Sequence, residues 1–268
     1  MERTITVNQE RCIHCGLCLK DCIAKALEFD SGGFPHYADG GAERCLECQH
    51  CMAICPAAAL SFGGVDPDEL EPTSYGSDEE LRKIILSRRS VRLFKNESVP
   101  PEKIEKISAL LSYPPTGVNI DSLHFSIVST KEKMNEIVEM ARERIMTSTE
   151  DCPIIDRARE YYQRGEDLIF RTAAAMVAVA VDKEKVAPSC KNADPIIALS
   201  YLELYAHTLG LGAVWCGLAT VLFNLFPDLC DAIKIPEGFE LNYVVLLGVP
   251  DVKYARVVKR DRKCVTIL

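Results

Sequence analysis

The chain has 268 residues, of which 31 are lysine or arginine and 39 are aspartate or glutamate, so its formal net charge is −8. A negative chain is a poor ligand for nucleic acid, whose phosphates attract positive surfaces. No apolar run reaches the ~18 residues that a membrane-spanning helix requires. The 13 cysteines are not preceded by a recognisable secretory signal peptide, so we expect a reduced, cytoplasmic protein.

Two cysteine runs with the same spacing, C-x2-C-x2-C-x3-C, occupy the first quarter of the chain. They consist of Cys12, Cys15, Cys18 and Cys22, followed by Cys45, Cys48, Cys51 and Cys55. The runs belong to an internal repeat with an offset of 33 residues, in which Glu10-Arg11-Cys12 matches Glu43-Arg44-Cys45. This duplicated pattern is typical of a bacterial ferredoxin with two [4Fe–4S] clusters.

In such repeats the fourth cysteine of each run binds the cluster of the other half. The spacing therefore assigns one cluster to Cys12, Cys15, Cys18 and Cys55, and the other to Cys45, Cys48, Cys51 and Cys22. We expect each fourth cysteine to open a short helix. The alternative is a pair of zinc sites, but the third cysteine in each run and the repeat favour iron–sulfur. His14 and His50 are predicted to lie on the surface of the cluster loops.

The chain after the cysteine runs divides into a linker and a larger domain. Residues 1–62 form the predicted cluster domain, and residues 63–76 are acidic and broken by glycine and proline, as in a linker. Residues 77–268 form the second domain. Ser77 begins a capping box with Glu80, which predicts a helix that ends near Arg88.

The remaining pattern predicts an α+β domain with a central sheet flanked by helices. Helices are predicted at 100–111, 131–146, 194–209 and 220–233, and buried strands at 124–128, 173–181 and 241–247. Residues 147–165 are charged and allow no clear prediction. His124 and His207 fall within a strand and an apolar helix, and we expect both to be core residues.

A cluster of cations, Arg88-Arg89-Ser90-Val91-Arg92, follows the first helix of this domain. Guanidinium groups beside a hydroxyl suit a phosphate, although such runs also occur on solvated helix faces. Three further segments, which follow in order at residues 114–119, 209–217 and 247–250, strengthen the assignment of these arginines to a phosphate site. The ordered set resembles the nitroreductase family of FMN-dependent oxidoreductases. With the cysteine module in front, the chain resembles ferredoxin–nitroreductase fusion proteins of anaerobes.

The resemblance implies an FMN site and the residues that form it. The cations and the serine correspond to the segment that holds the phosphate and the pyrimidine edge of the flavin. Asn119 corresponds to the asparagine that hydrogen-bonds the isoalloxazine ring, and Cys216-Gly217 correspond to the loop whose backbone faces the flavin atoms N5 and O4. Lys259 and Arg260 correspond to the C-terminal phosphate cation, with Arg256 as the alternative. The chain has Asp121-Ser122-Leu123 where the family usually reads Gln-Pro-Trp, a difference in the wall of the substrate pocket.

The same resemblance implies a homodimer in which both subunits contact each flavin. Electrons from an external ferredoxin would pass through the clusters to FMN and reduce a nitroaromatic, a quinone or an activated alkene. NAD(P)H is the alternative donor. Because the cofactor carries the chemistry, no catalytic acid or base is expected. Two other hypotheses are an electron carrier or redox sensor without turnover, and specialised flavin chemistry such as reductive dehalogenation.

Overall fold

The computed structural model describes residues 3–260 and 264–268. The chain divides into two compact units, residues 1–75 and residues 76–268. Within the described part of the chain, no helix is long and apolar enough to cross a membrane.

The N-terminal unit consists of short elements. They are β1 (Ile5–Val7), α1 (Leu17–Asp21), β2 (Leu27–Phe29), β3 (Pro35–Tyr37), α2 (Gly41–Arg44), α3 (His50–Ala53) and β4 (Leu60–Phe62). Strand β1 pairs antiparallel with β4, and β2 pairs antiparallel with β3. The buried apolar core is small, formed by Met52, Leu60 and Phe62 with cysteine side chains packed around it. A core of this size favours a unit that depends on metal for its stability.

The 33-residue repeat is also present in the backbone. Left-handed φ angles recur at the same offset in both halves, at His14, Gly16 and Lys25 and then at Glu47, Gln49 and Ala58. The two halves therefore fold as equivalent units around their cysteines. One expectation was wrong: the fourth cysteine of each run does not open a helix. Cys22 follows the last residue of α1, and Cys55 comes two residues after α3.

The C-terminal unit contains seven helices and four strands among its described residues. They are α4 (Asp78–Ser87), α5 (Pro101–Leu110), β5 (Leu123–Val128), α6 (Lys131–Thr147), α7 (Pro153–Gln163), β6 (Ala175–Asp182), α8 (Ala193–Thr208), β7 (Gly212–Trp215), α9 (Gly217–Leu225), α10 (Pro227–Ala232) and β8 (Phe239–Gly248). Helix α7 lies in the stretch without a prediction. The helix predicted at 220–233 is two helices, because Pro227 begins a new one. Strand β7 was not predicted.

The four strands form one antiparallel sheet in the order β5-β6-β8-β7. Alternate residues of β6 face opposite sides: Met176 and Ala178 pack in one core, and Val177 and Val179 in the other. Helices α6, α7, α9 and α10 contribute to the first core, and α5 and α8 to the second. The predicted α+β class, with an apolar central sheet flanked by helices, is confirmed.

Candidate cofactor sites

The N-terminal unit contains two cavities, each lined by four of the eight cysteines. Cys12, Cys15, Cys18 and Cys55 line the first. Cys22, Cys45, Cys48 and Cys51 line the second. Each cavity thus receives three cysteines of one run and the fourth of the other, the grouping that the ligand assignment requires. Cluster binding by these residues stays a prediction.

The donors that line the cavities fit an iron–sulfur cluster. Among the described residues, no three Cys, His, Asp or Glu side chains converge closely enough to hold one metal ion. A cubane does not need such convergence, because each iron takes its own thiolate. Backbone N–H groups also point at the sulfurs in a repeated manner: Ala26 donates to Cys22 Sγ (3.4 Å), and Ala59 to Cys55 Sγ (3.3 Å). Such donors stabilise negative charge on sulfur.

The two histidines of the cysteine loops are exposed. His14 Nδ1 lies 2.8 Å from the carbonyl oxygen of Gly33, and His50 Nδ1 lies 3.2 Å from Asp21 Oδ2. Both rings therefore have other partners at the surface, and the prediction that they lie on the surface of the loops is confirmed.

Tyr37 is one of the residues that line the second cavity. The oxygen is buried and has no hydrogen-bond partner among the described residues. Burial, and then the neighbouring Cys45, raises the pKa of the phenol, so it stays protonated. Val7, which has no hydroxyl group, holds the equivalent strand position at the first cavity.

The second candidate site begins with the arginine segment, which the sheet holds in place. Ser77 Oγ accepts from the Glu80 N–H (3.3 Å) and caps α4, which ends immediately before Arg88. Val91 is buried, and its N–H donates to the carbonyl of Ala213 in β7 (3.0 Å). The contact is close because β7 begins with glycine: a Cβ on Gly212 would lie 2.7 Å from Val91 Cβ.

The cationic side chains of this segment are held differently. Arg88 Nη1 donates to Glu203 Oε1 of α8 (3.1 Å). Arg89 Nη1 donates to the carbonyls of Leu86 (2.7 Å) and Arg88 (2.6 Å), while its Nη2 is buried without a partner among the described residues. Arg92 is exposed. A buried guanidinium nitrogen without an acceptor is costly, and a phosphate oxygen would supply one. The segment therefore fits an anion such as the FMN phosphate.

Asn119 lies on a strained turn that a buried carboxylate supports. Residues Gly117–Asn119 form a single 3-10 turn in which Val118 (φ 48°) and Asn119 (φ 57°) are left-handed. Asp194 Oδ2 of α8 accepts from the Gly117 N–H (2.9 Å). Gly117 itself leaves no room for a side chain, because an added Cβ would overlap Cys190 Sγ.

A cavity of about 560 Å³ opens beside Asn119, between α5 and β5. Asp121, Leu123 and His124 are among the residues that line it. The segment that departs from the family pattern therefore forms part of this wall. His124 is half-buried and contacts the cavity, so the expectation that it is a core residue was wrong.

Cys216 and Gly217 connect β7 to α9. Cys216 is buried, and its Sγ accepts from the Ala219 N–H (3.4 Å) and donates to the Ile169 carbonyl (3.3 Å). Burial raises the pKa of this thiol. Gly217 faces Tyr243, whose hydroxyl oxygen would lie 3.2 Å from an added Cβ. Cys216 is therefore a helix-capping residue, and its backbone is what it can present to a ligand.

We expect Cys216 to resist alkylation in the folded protein. The thiolate is the reactive species, and here both the raised pKa and the burial oppose its formation and access. Native protein treated with iodoacetamide at neutral pH should be labelled at exposed Cys264 and not at Cys216, as read by peptide mass spectrometry. Unfolded protein should be labelled at both, and equal native rates would contradict this structural role.

The C-terminal cations lie on an extended segment after β8. Lys259, Arg260 and Arg256 are exposed. Near the start of the segment, the Tyr254 hydroxyl donates to the Ser90 carbonyl (3.5 Å), which brings the segment to the arginines. Residues 261–263 of this basic stretch lie outside the described residues.

Helix α8 supplies two functional candidates that the sequence reading missed, Asp194 and Glu203. Both are buried, at 4% and 8% exposure, and each contacts one of the predicted flavin segments. Both fall in a helix that was predicted to be apolar, and a charged residue at a buried helical position is the feature that could have revealed them.

Comparison with known proteins shows the family and the fold of the chain. A protein of Methanothermobacter thermautotrophicus, whose name classes it as an NADH dehydrogenase/NAD(P)H nitroreductase, is 30% identical over 65% of this chain and 79% of its own. Crystal structures of FMN-bound nitroreductases from Desulfitobacterium hafniense (24% identity) and Bacteroides fragilis (22%) superpose with TM-scores of 0.58. Each comparison covers 70% of this chain and 98% of the other, which shows a shared fold.

The profile of the 4Fe-4S dicluster domain matches residues 5–59, and that of the nitroreductase family matches residues 85–249. The chain belongs to the nitroreductase family and carries a 4Fe-4S dicluster domain in front of its nitroreductase domain.

Proposed function

We propose that this protein is an FMN-dependent oxidoreductase that receives or passes electrons through two [4Fe–4S] clusters and reduces a nitroaromatic, a quinone or a similar electrophilic acceptor. The observation that carries the proposal is the grouping of eight cysteines into two four-cysteine cavities in a chain whose second domain is a nitroreductase. Clusters exchange single electrons, and a bound flavin collects two and delivers them to an acceptor.

The protein's own residues would bind and orient the flavin. Arg89 would direct its unpaired Nη2 at the phosphate, with Arg88, Ser90 and Arg92 beside it. Asn119 would hold the ring next to the cavity, and the Cys216-Gly217 backbone would face it from the end of β7. The cavity beside Asn119 would admit the acceptor, with Asp121 and His124 in its wall. Lys259 and Arg260 would add positive charge from the C-terminal segment.

Two electron donors are compatible with a chain that carries both clusters and a flavin. Clusters suit a low-potential ferredoxin, because both exchange one electron at a time. The names of the relatives favour NAD(P)H, which would give a hydride to the flavin and make the clusters an exit route. Thiolate-bound clusters require reducing surroundings, so we place the protein in the cytoplasm.

We further propose a homodimer. Three large apolar side chains are exposed on or next to the flavin segments, Leu93, Tyr113 and Val118. Large apolar side chains that are exposed beside a site favour contact with another chain. A second copy that covers them would also complete a flavin site that is open in one chain. Gel filtration or light scattering should then give twice the chain mass of 29.8 kDa.

The test of the function is anaerobic steady-state turnover of a nitroaromatic and a quinone. Reduced ferredoxin and NADH are supplied in parallel, and the Cys55→Ser variant serves as a control for the cluster route. Turnover with ferredoxin that Cys55→Ser abolishes supports entry through the clusters. Turnover with NADH that the variant retains supports the nicotinamide route. Clusters and flavin that become reduced without consumption of any acceptor would show an electron carrier and contradict the enzyme.

A further inference from the structure

Helix α8 carries the two buried carboxylates of the described chain, whose other buried polar side chains are Ser122 and Ser126. Burying a carboxylate is costly unless it is well paired. Here each has a partner outside the helix: Glu203 Oε1 accepts from Arg88 Nη1 (3.1 Å), and Asp194 Oδ2 accepts from the Gly117 N–H (2.9 Å). Each partner lies in a segment assigned to the flavin.

The two contacts lie at different places on one rigid element. Nine residues separate Asp194 and Glu203, which is about 2.5 helical turns, so the carboxylates point to opposite sides of the axis. Between them Leu199 and Leu202 are fully buried against the sheet, which fixes the helix. A single packed helix thus contacts both segments, which are distant in the sequence.

We propose that α8 positions both ends of the flavin site, with Glu203 orienting the Arg88 guanidinium for the phosphate and Asp194 holding the Gly117–Asn119 turn for the ring. Both are positioning residues, because neither is placed against the cofactor. The inference rests on the proposed function, since it takes the flavin as the ligand.

Charge and geometry predict opposite effects at Glu203, so the role can be tested. If the carboxylate only neutralised Arg88, removing it would strengthen the binding of a phosphate. If it orients the guanidinium, Glu203→Ala frees the side chain and weakens that binding. Glu203→Gln keeps an acceptor oxygen for Arg88 without the charge, so the positioning role predicts that it binds FMN at least as well as the wild type.

The experiment measures dissociation constants of FMN and riboflavin for the full-length protein freed of flavin, by quenching of flavin fluorescence. Riboflavin lacks the phosphate. Glu203→Ala should weaken FMN about tenfold, the scale of one charged hydrogen bond, and leave riboflavin unchanged. Asp194→Ala should weaken both flavins alike, and Asp194→Asn, which still offers an acceptor, should restore them. Glu79→Gln, in an exposed ion pair with Lys83 on α4, is the matched control and should change neither.

The outcomes distinguish a failure of the positioning role of α8 from a failure of the proposed function. Tighter FMN binding by Glu203→Ala, or equal loss of both flavins in that variant, overturns positioning at the phosphate. Unchanged binding by Asp194→Ala overturns positioning at the ring. Wild-type protein that binds neither flavin refutes the proposed function itself.

A second inference concerns Tyr37 and follows from the repeat. Val7 pairs with Leu60 and Tyr37 pairs with Leu27, and the two leucines are 33 residues apart, so Val7 and Tyr37 hold equivalent positions. Val7 lines the first cavity, and Tyr37 lines the second. The second cavity alone therefore has a buried hydroxyl without a partner at this position.

We propose that the Tyr37 hydroxyl donates a hydrogen bond to sulfur at Cys45 when the second cluster is bound. This hydrogen bond would raise the reduction potential of the second cluster relative to that of the first cluster. This inference also takes the cluster assignment of the proposed function as given. A donor beside a sulfur stabilises the more negative, reduced state, and hydrogen bonds to sulfur are among the determinants of cluster potential.

Tyr37→Phe keeps the ring and removes the hydroxyl. In an EPR-monitored redox titration of the full-length protein, the variant should lower one midpoint potential by up to about 59 mV. This shift corresponds to an about tenfold change in a one-electron reduction equilibrium. Tyr75→Phe, in an exposed tyrosine of the same unit, should have no effect. The shifted cluster should be the one that the Cys55→Ser variant retains. A shift of the other cluster, or none with full iron content, overturns the inference.

Discussion

Cys55→Ser should remove the cluster assigned to the first cysteine run, although Cys55 belongs to the second. Its sulfur lines the same cavity as Cys12, Cys15 and Cys18, and a serine replaces a thiolate ligand with a poor one. Iron should fall from about eight to about four atoms per chain, and Cys12→Ser should lose the same spectral component. Cys22→Ser should lose the other component. Iron analysis and EPR after anaerobic purification provide the measurement.

Cys264→Ser serves as the control, because this cysteine is exposed and lies outside both runs. It should leave the iron content unchanged. If Cys55→Ser and Cys45→Ser remove the same component, each run binds its own cluster and the exchanged arrangement is wrong.

Gly212→Ala should disrupt the flavin site and destabilise the C-terminal unit. The added methyl group would lie 2.7 Å from Val91 Cβ and Cγ1, and Val91 is the buried residue that holds the arginine segment against β7. Overpacking of this kind costs about 1–3 kcal/mol. We expect a lower free energy of unfolding in a urea titration and a weaker affinity for FMN, because relief of the clash moves Ser90 and Arg92 away from Ala213.

A double-mutant cycle with Val91→Ala makes this prediction specific. Val91→Ala removes the methyl groups but leaves the Cβ contact. The double variant should therefore lose less free energy of unfolding than the sum of the losses in the two single variants, and it should still be less stable than the wild type. Simple additivity would show that the two residues do not interact and would contradict the tight packing of this segment on β7.

The cysteine module was the part of the molecule most predictable from sequence. Ligand spacing fixes its loops, and the duplication appears in the backbone as left-handed residues 33 positions apart. The helix at the fourth cysteine was misplaced because a single turn such as α1 is too short to show a hydrophobic period. Strand β7 was missed for a similar reason: a four-residue strand that begins with glycine and ends just before a capping cysteine resembles a loop.

The flavin segments could be predicted from their order in the chain, but the contacts that hold these segments in place could not. Glu203 contacts Arg88 across 115 residues of sequence, and Asp194 contacts Gly117 across 77. Pairings at such separations depend on the packing of α8 against the sheet, which no local pattern encodes. His124 was misjudged for a related reason, because its strand lies at the edge of the sheet beside an open cavity.

Analysis of anaerobically purified protein for iron, acid-labile sulfide, zinc and extractable flavin tests whether one chain carries two iron–sulfur clusters and a flavin. We expect about eight iron and eight sulfide per chain, with about one FMN, which is the occupancy of a single flavin site per subunit. Stoichiometric zinc in place of iron, or colourless protein with no extractable flavin, would show that the chain does not carry these cofactors.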